Sequence, residues 1–592
     1  MKECILFCSN ESAISFDIET NSLDPRLGDI LSIQVGTYDR QYVIKVHSFT
    51  KTQLKPLFRV LEDEDYLILG HNLKFDFQWI YHHYGVVLNN VYDTYIIEGI
   101  LNKGMHNHRL NLNAVLEVYV HGVDLDKGER KTFVNRLPFE DFTEKQIEYS
   151  ALDVKFLSKI YKGQIKLARE YQCEALVWLE CDAVIPTAMM EYNGIYIDQK
   201  HWLSLSNVAR EAADKAKEVL DEYFKDVNLG NQLSLFDYPM INYDSPAQMK
   251  RALSDLLEKD IESTGKEELM KLDHPAARAL LDYREQSKLI AAFGPEYLRK
   301  YIHPITNRIH SQIDQLGADS GRFSCRRPNL MQIPHLQIYR EAFCVEDPIL
   351  RRMIAADYSG CELRLIAELS GEEEWIFCLK KGYDMHSYVA ALLFDLDYHK
   401  ITENNKIKSE FKEFRLKAKS INFGVAYGMG PGRLAISLKI SFEEAAALLD
   451  KFWEKFPKIK RLLDRLVREG INNGYAQSPL DGRRRWLLDF NTRVPRERAH
   501  AGNICKNLPF QGGNASIIKR AMCLIQDKFF EHPEWEAKLL LCVHDEIIAT
   551  CKKDNSETVK EVIEKCMLEA AYLFVDKVPM EVDVELGKHW IH

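Results

Sequence analysis

Asp357 and Asp545 stand 188 positions apart, and each closes an apolar run that reads as a strand: Met353-Ile354-Ala355-Ala356 before the first, Leu539-Leu540-Leu541-Cys542-Val543 before the second. Between them runs Arg415-x3-Lys419-x3-Phe423-x3-Tyr427-Gly428. On a 3.6-residue helix, steps of four drift about 40° each, so these side chains form one slowly turning stripe about 18 Å long. Two carboxylates can hold a pair of divalent cations and a basic helix face can grip a triphosphate, a combination that suits phosphoryl transfer between nucleotides. Lys419 is of the right type to hand a proton to a departing pyrophosphate. The glycines at 424 and 428 cost about 1 kcal/mol each inside a helix, so close approach of a template or of backbone is the expected reason for them. The competing reading of the stripe is an amphipathic helix with a basic solvated face.

A second acidic set lies near the start. Asp17 and Glu19 sit two apart in Phe16-Asp17-Ile18-Glu19-Thr20, so on a strand they share a face and repel unless cations lie between them. Asp76 and Asp153 follow. The helix carrying Asp153 should open with the capping box Thr143-x2-Gln146, and Tyr149 lies one turn before Asp153 on the same face. Four acids around two metals, with a tyrosine to orient water, suit in-line phosphodiester hydrolysis. The alternative is an edge strand decorated by two acids.

The elements that must position these groups fall into blocks. Residues 1 to about 170 alternate strands (Ile14–Ile18, Ile30–Val35, Leu67–Leu69) with helices, as a mixed sheet covered by helices does. Residues 200–225, 247–253 and 274–302 are helical in pattern, 364–522 mostly so, and the last seventy residues return to strand–helix–strand. Glu191–Asp198 reads as a hairpin with Asn193-Gly194 at its turn, and 226–245 as a loop. With 592 residues the chain exceeds one core. Its net charge of -10 neither suggests nor excludes a polyanionic partner, since local Arg clusters decide that: 322, 326 and 327; 483, 484 and 485; 493, 496 and 498. Thirteen cysteines without a Cys-x2-Cys pair read as buried hydrophobes in a reducing compartment. No apolar run approaches a membrane span and the start does not read as a secretory signal, so a cytoplasmic location is expected.

The motifs also carry a resemblance. Asp357-Tyr358-Ser359-Gly360-Cys361-Glu362-Leu363-Arg364, the stripe from Arg415 to Gly428, and Val543-His544-Asp545-Glu546 resemble motifs A, B and C of family A DNA polymerases of the Klenow type. Asp384-Met385-His386, Ser320–Ser324, Pro328–Pro334, Tyr283–Leu289 and Asn507-x3-Gln511-Gly512 are similar to further segments of that family, and the likeness covers about 175–592. The N-terminal acids resemble those of DEDD 3′–5′ proofreading exonucleases of the tyrosine subtype, over roughly 10–160. The resemblance implies an RNase H-like α/β exonuclease domain at 1–172 and a right-hand polymerase domain at 173–592. Within the latter the thumb is expected at about 200–300, the palm at about 301–363 and 523–592, and the fingers at about 364–522.

It implies two Mg2+ ions per site, with Mn2+ able to substitute, on Asp357, Tyr358 and Asp545 and on Asp17, Glu19, Asp76 and Asp153. Glu546 would support catalysis. Arg415, Lys419, Phe423, Tyr427 and His386 would hold the incoming dNTP, Glu362 would exclude a ribose hydroxyl, Arg322 and Gln511 would touch the minor groove, and His544 the primer end. Partners would be primer–template DNA and dNTPs, bound by a monomer. Gly360-Cys361 departs from the Gln-Ile usual in repair members and is nearer some phage replicative ones, and Leu336 stands where a basic residue is frequent. A preceding 5′-nuclease domain is not expected.

Gln232-Leu233-Ser234-Leu235-Phe236 resembles the peptide by which bacterial polymerases bind a sliding clamp, with Leu235 and Phe236 docking in an apolar groove or packing back as loop anchors. Two other functional readings remain: an RNase D-like nuclease with a non-catalytic nucleic-acid-binding body, and a clamp- and primer-binding scaffold. The second predicts lost carboxylates, and none is lost.

Overall fold

Alternation of buried and facing residues builds the first sheet. The computed structural model describes residues 1–105, 108–123, 127–225, 227, 241–334 and 336–591. Five strands, β1 (Ala13–Thr20), β2 (Ile30–Gly36), β3 (Gln41–Lys45), β4 (Leu67–Gly70) and β5 (Val91–Asp93), lie in the order β3–β2–β1–β4–β5. The β1–β2 and β2–β3 pairs are antiparallel, while β1–β4 and β4–β5 are parallel. β1 is therefore interior, which removes the edge-strand reading of Asp17 and Glu19. Ile14, Phe16 and Ile18 fill one side of β1 with the two acids on the other. Helices Leu73–Tyr84, Glu144–Lys155 and Leu157–Glu170 cover the sheet. The same apolar core continues through Leu176, Val177, Cys181, Ile185 and Met189, past the expected boundary at 172.

A second sheet is antiparallel throughout. β6 (Arg351–Tyr358) lies between β8 (Glu546–Lys552) and β9 (Val582–Gly587), with β7 (Lys538–Val543) outside β8. Its buried face packs on helices Cys361–Ser370, Pro495–Glu531 and Ser556–Tyr572 through Ile354, Ala356, Leu365, Ile517, Met522, Ile563 and Met567. The long helix Pro495–Glu531 crosses the expected fingers–palm boundary at 522 without interruption.

The chain divides into two compact units, Met1–Gly194 with Ser311–Met331 and Asp347–Lys588, and Ile195–His310 with Gln332–Glu346 and the last residues from His589. The expected palm segment 301–363 is thus split between them. In the second unit helices Gln199–Phe224 and Pro275–Phe293 pack together. Trp202 is enclosed by the rings of Phe293, Tyr297, Tyr339 and Phe343, and Leu220, Phe224, Met249, Leu253 and Leu280 form a separate core. The expected hairpin at 191–198 does not form. Glu191–Asn193 finishes the helix Val184–Asn193, Gly194 leaves it at φ 59°, and Ile195–Tyr196 pairs instead with Arg308–Ile309. Local turn chemistry was real, but it stops a helix here. All thirteen cysteines are free, and all but Cys344 are buried.

Candidate active sites

The N-terminal acids converge. Asp17 and Glu19 on β1 and Asp153 on the helix Glu144–Lys155 place ligand oxygens within 4.8 Å of one another. The capping box forms as expected, Thr143 accepting from Gln146 N–H and the Gln146 side chain accepting from Thr143 N–H, which fixes where that helix starts and so where Asp153 lands. Tyr149 hydrogen-bonds the Asp153 carboxylate. Asp76 accepts from the Ile18 amide at 3.2 Å, so it is held against β1. Burial, and then the charges of Asp76 and Asp153, push Asp17 well above the usual carboxylate range; burial, then Asp17 and Asp153, do the same to Glu19. Burial raises Asp153 to about 7 even against the Tyr149 hydrogen bond. A cluster this reluctant to ionise has the donor chemistry and the charge deficit that divalent cations relieve. The acids line a cleft of about 480 Å3 together with His71, Phe75, Tyr95, Leu112, Arg130 and Arg326. Neither arginine was singled out for this site from the sequence. Arg130 acts on Asp17, Glu19 and Asp153, and no motif announces it.

The second acidic pair sits on the antiparallel sheet. Asp357 lies in β6 directly opposite Glu546 of β8, and Asp545 occupies the two-residue turn joining β7 to β8. His544 shares that turn at φ 58°, a left-handed conformation that non-glycine residues keep only where surroundings enforce it. Burial, then the charges of Asp545 and Glu546, raise Asp357 to about 7, and burial raises Asp545. Asp583 of β9 faces Asp357 from the other side and adds to that repulsion, a neighbour that no spacing in the sequence reveals. The Tyr358 side chain is no metal ligand. Its hydroxyl donates to the Met567 carbonyl at 2.6 Å inside the core, because the residue after Asp357 points to the opposite face of β6.

The stripe lies on one helix, Lys412–Ala426, with Tyr427 at its C-cap. Gly428 falls outside the helix, at φ 72°, where a Cβ would meet Asn503 Oδ1 at 2.2 Å; backbone conformation and a close neighbour explain it. Arg415 is already engaged, its Nε and Nη2 each donating to Asp384 at 2.8 Å. Asp384 in turn caps the helix Met385–Leu393, accepting from Ser387 N–H at 2.8 Å. Lys419 is exposed. His386 lies beside Phe423, ring centroids 5.6 Å apart, with Asn422 Nδ2 3.1 Å from its Nδ1. Burial lowers the imidazole to about 4, with Asp384 opposing and the Arg415 and Lys419 charges reinforcing. A second cleft, of about 610 Å3, opens along Ser359, Gly360, Asp384, His386, Arg415 and Glu581.

Glu362 is the hub of the remaining contacts. It pairs with Arg322, accepts a hydrogen bond from the Tyr427 hydroxyl, and that hydroxyl is also bonded by Gln511. Arg322 and Gln511, read from the sequence as groove contacts, are thus gathered around Glu362. Gly360 has φ 62° and nothing within 4 Å of where a Cβ would stand, so it is required by the left-handed turn into the helix Cys361–Ser370, and Cys361 is buried in the core. The Arg483–Arg485 cluster is internal. Arg483 pairs with Glu180 and Asp481, Arg484 stacks over Tyr171 and Tyr475, and Arg485 forks onto Asp489. Gln232, Leu233, Leu235 and Phe236 lie outside the described residues. Among the described residues no helix is long and apolar enough to cross a membrane.

Residues 203–592 match the family model for DNA polymerase family A, and residues 1–167 that for a 3′-5′ exonuclease. The thermostable DNA polymerase I of Thermus aquaticus is 32% identical over 470 residues, 76% of this chain and 52% of that protein. DNA polymerase I of Borreliella burgdorferi is 28% identical over 591 residues, 98% of this chain and 62% of that protein. The chain thus spans about half to three-fifths of the length of these relatives. A solved structure of the POL domain of Pol1 from M. smegmatis, in complex with DNA primer-template and dNTP, has the same fold, with a TM-score of 0.80 over 98% of this chain and 95% of that one at 24% identity.

Proposed function

Because the chain belongs to DNA polymerase family A, we propose that it extends the 3′ end of a primer on a DNA template with deoxynucleoside triphosphates and removes nucleotides from that end in its N-terminal cleft. The observation that carries the first activity is the meeting of Asp357, Asp545 and Glu546 on one sheet, with the Arg415–Tyr427 stripe in the same unit. Asp357 and Asp545 are the residues that would hold two Mg2+ ions, and Asp17, Glu19, Asp76 and Asp153 would hold a second pair. Bound metal would supply a more acidic nucleophile and neutralise charge on the leaving group.

The chain's own side chains do the rest. Lys419, exposed and unshielded by the Arg415–Asp384 pair, meets the triphosphate and is the proton donor for the leaving oxygen. Arg415 is presented by Asp384 in a fixed fork, so little rotamer entropy is lost when its free edge meets phosphate. Phe423 and His386 make a wall for the sugar, and the neutral imidazole can donate or accept a hydrogen bond there. Glu362, clamped by Arg322 and Tyr427, fills the space a 2′-hydroxyl would need. In the N-terminal cleft Tyr149 and the acids orient water toward the scissile phosphate.

Primer extension by wild type and Asp545→Ala tests the first activity: extension by the former alone is expected, and equal extension by both, or none by either, overturns it. Asp17→Ala should extend primers yet leave a mismatched 3′ end intact, and continued degradation would remove the exonuclease assignment.

A further inference from the structure

A single stretch of chain touches both acidic centres. Ser324–Arg326 pairs antiparallel with Gln312–Asp314, with Arg326 opposite Gln312. The pair is pinned to the helix that carries Asp76. Lys74 Nζ donates to the Ile313 carbonyl at 2.6 Å and to Glu191 Oε1 at 2.7 Å, and the Ile313 amide donates to the same Glu191 oxygen. A few residues earlier, Lys519 Nζ donates to the Gly321 carbonyl at 2.7 Å, and Arg322 pairs with Glu362. One end of the segment thus lies by Glu362, where the Arg322 charge reaches Asp545, and the other lines the N-terminal cleft.

Arg326 is exposed and forms part of the wall of that cleft, whereas Asp76 and Glu19 are buried within it. The cleft's two arginines are not equivalent. Arg130 is exposed as well, but its charge acts on Asp17, Glu19 and Asp153. Arg326 lies by Tyr95, whose ring meets His71 edge-on at 5.7 Å and also feels Asp314 and Asp93, and its charge is not among those that act on Asp17, Glu19 or Asp153. A polyanionic strand is drawn toward a cation that the carboxylates of the cleft do not neutralise, whatever cations those carboxylates themselves hold.

We propose that Arg326 binds a backbone phosphate of the strand whose 3′ end occupies the N-terminal cleft. The segment Ser311–Met331 then serves degradation through Arg326 and extension through Arg322. The neighbouring Arg327 does not line the cleft, which makes the contact a property of one side chain and not of a diffuse basic patch. The proposal rests on the exonuclease reading given above.

The test uses the whole chain, with Mg2+ and a 5′-labelled single-stranded oligodeoxythymidylate. Arg326→Gln should raise KM about tenfold, the weight of one charge-assisted contact, with kcat within about twofold. The slope of log(kcat/KM) against log salt should become less negative by about 0.7, one phosphate contact on a single strand. Arg326→Lys should recover most of the loss, and the unfolding temperature should not move because the side chain is exposed. If wild type degrades the strand, Asp17→Ala does not, and Arg326→Gln keeps the wild-type KM and salt slope, Arg326 has no such role while the exonuclease reading stands. A fall in kcat at unchanged KM overturns the proposal equally. If wild type leaves the strand intact, or Asp17→Ala still degrades it, the exonuclease reading falls and the role of Arg326 with it.

Discussion

Removing Glu180 should expose how much a buried ion network contributes to this fold. Lys519 is fully buried, and its ammonium donates to both Glu180 oxygens at 2.7 and 2.8 Å and to the carbonyls of Gln315 and Gly321 at 2.9 and 2.7 Å. Arg483 donates to the same carboxylate at 2.7 Å and also pairs with Asp481. Two cations thus face two anions out of water. Burial lowers Lys519 to about 8 despite Glu180. Glu180→Leu leaves a cation without its counter-charge, which costs about 3–5 kcal/mol. Adding Lys519→Met removes the stranded ammonium and should restore more than half of that, because an apolar pair avoids the desolvation cost. The pH dependence separates a stranded charge from a packing defect. In Glu180→Leu, burial without the counter-charge drives Lys519 toward its neutral form in the folded chain while the unfolded one stays protonated up to about pH 10.5, so the unfolded state binds more protons. Stability of this variant should therefore rise from pH 7 to pH 10. Urea unfolding followed by tryptophan fluorescence reads all three values as apparent stabilities of the unit that contains the network. A loss under about 1 kcal/mol, or a larger one that is flat with pH and unrelieved in the double variant, would refute the reasoning.

Three further outcomes are expected. The imidazole of His386 should titrate near pH 4 by NMR; since the unfolded chain takes up that proton near 6.5, the stability it contributes is present above 6.5 and lost as pH falls toward 4, by roughly 3 kcal/mol, and a midpoint above 6 contradicts the burial argument. Gly360→Ala should cost only the left-handed strain of about 1–2 kcal/mol in thermal unfolding and leave deoxy- over ribonucleotide selectivity within about threefold, because no atom stands where the methyl would go; a loss beyond that range would reveal a contact. Replacing Leu235 and Phe236 by Ala should abolish any gain in product length from an added sliding clamp while leaving extension without clamp intact, and an undiminished gain removes the clamp reading of Gln232–Phe236.

Carboxylates were legible in this sequence to a degree that cations were not. Asp17 and Glu19 share a face because strand geometry has period two, and Thr143 and Gln146 set the start of the helix that delivers Asp153; both rules act within a few residues. Asp357 and Asp545 stand where their apolar runs end for the same reason. A cation's role depends on which acid lies across from it, and that is a property of the fold. Arg415 and Asp384 are 31 positions apart, and Arg483 and Glu180 are 303. No local pattern distinguishes Arg483, locked inside, from Arg326, exposed in a cleft built by the other end of the chain. The hairpin expected at Asn193-Gly194 failed likewise, since a glycine that stops a helix and one that turns a hairpin look alike until the pairing partner, here Arg308–Ile309, is known.

The distribution of paired cations has a functional consequence. Of the basic residues at the two candidate sites, Arg322 and Arg415 are each held by an acid, Glu362 and Asp384, while Lys419 and Arg326 are exposed. A guanidinium already oriented by a carboxylate contributes direction, because its remaining donors point one way before any ligand arrives. An exposed ammonium or guanidinium contributes attraction, and with it the salt dependence of binding. Orientation and attraction therefore reside in different residues of this chain. With the roles proposed above for these four residues, raising ionic strength should weaken capture by Lys419 and Arg326 long before it disturbs the geometry imposed by Arg322 and Arg415.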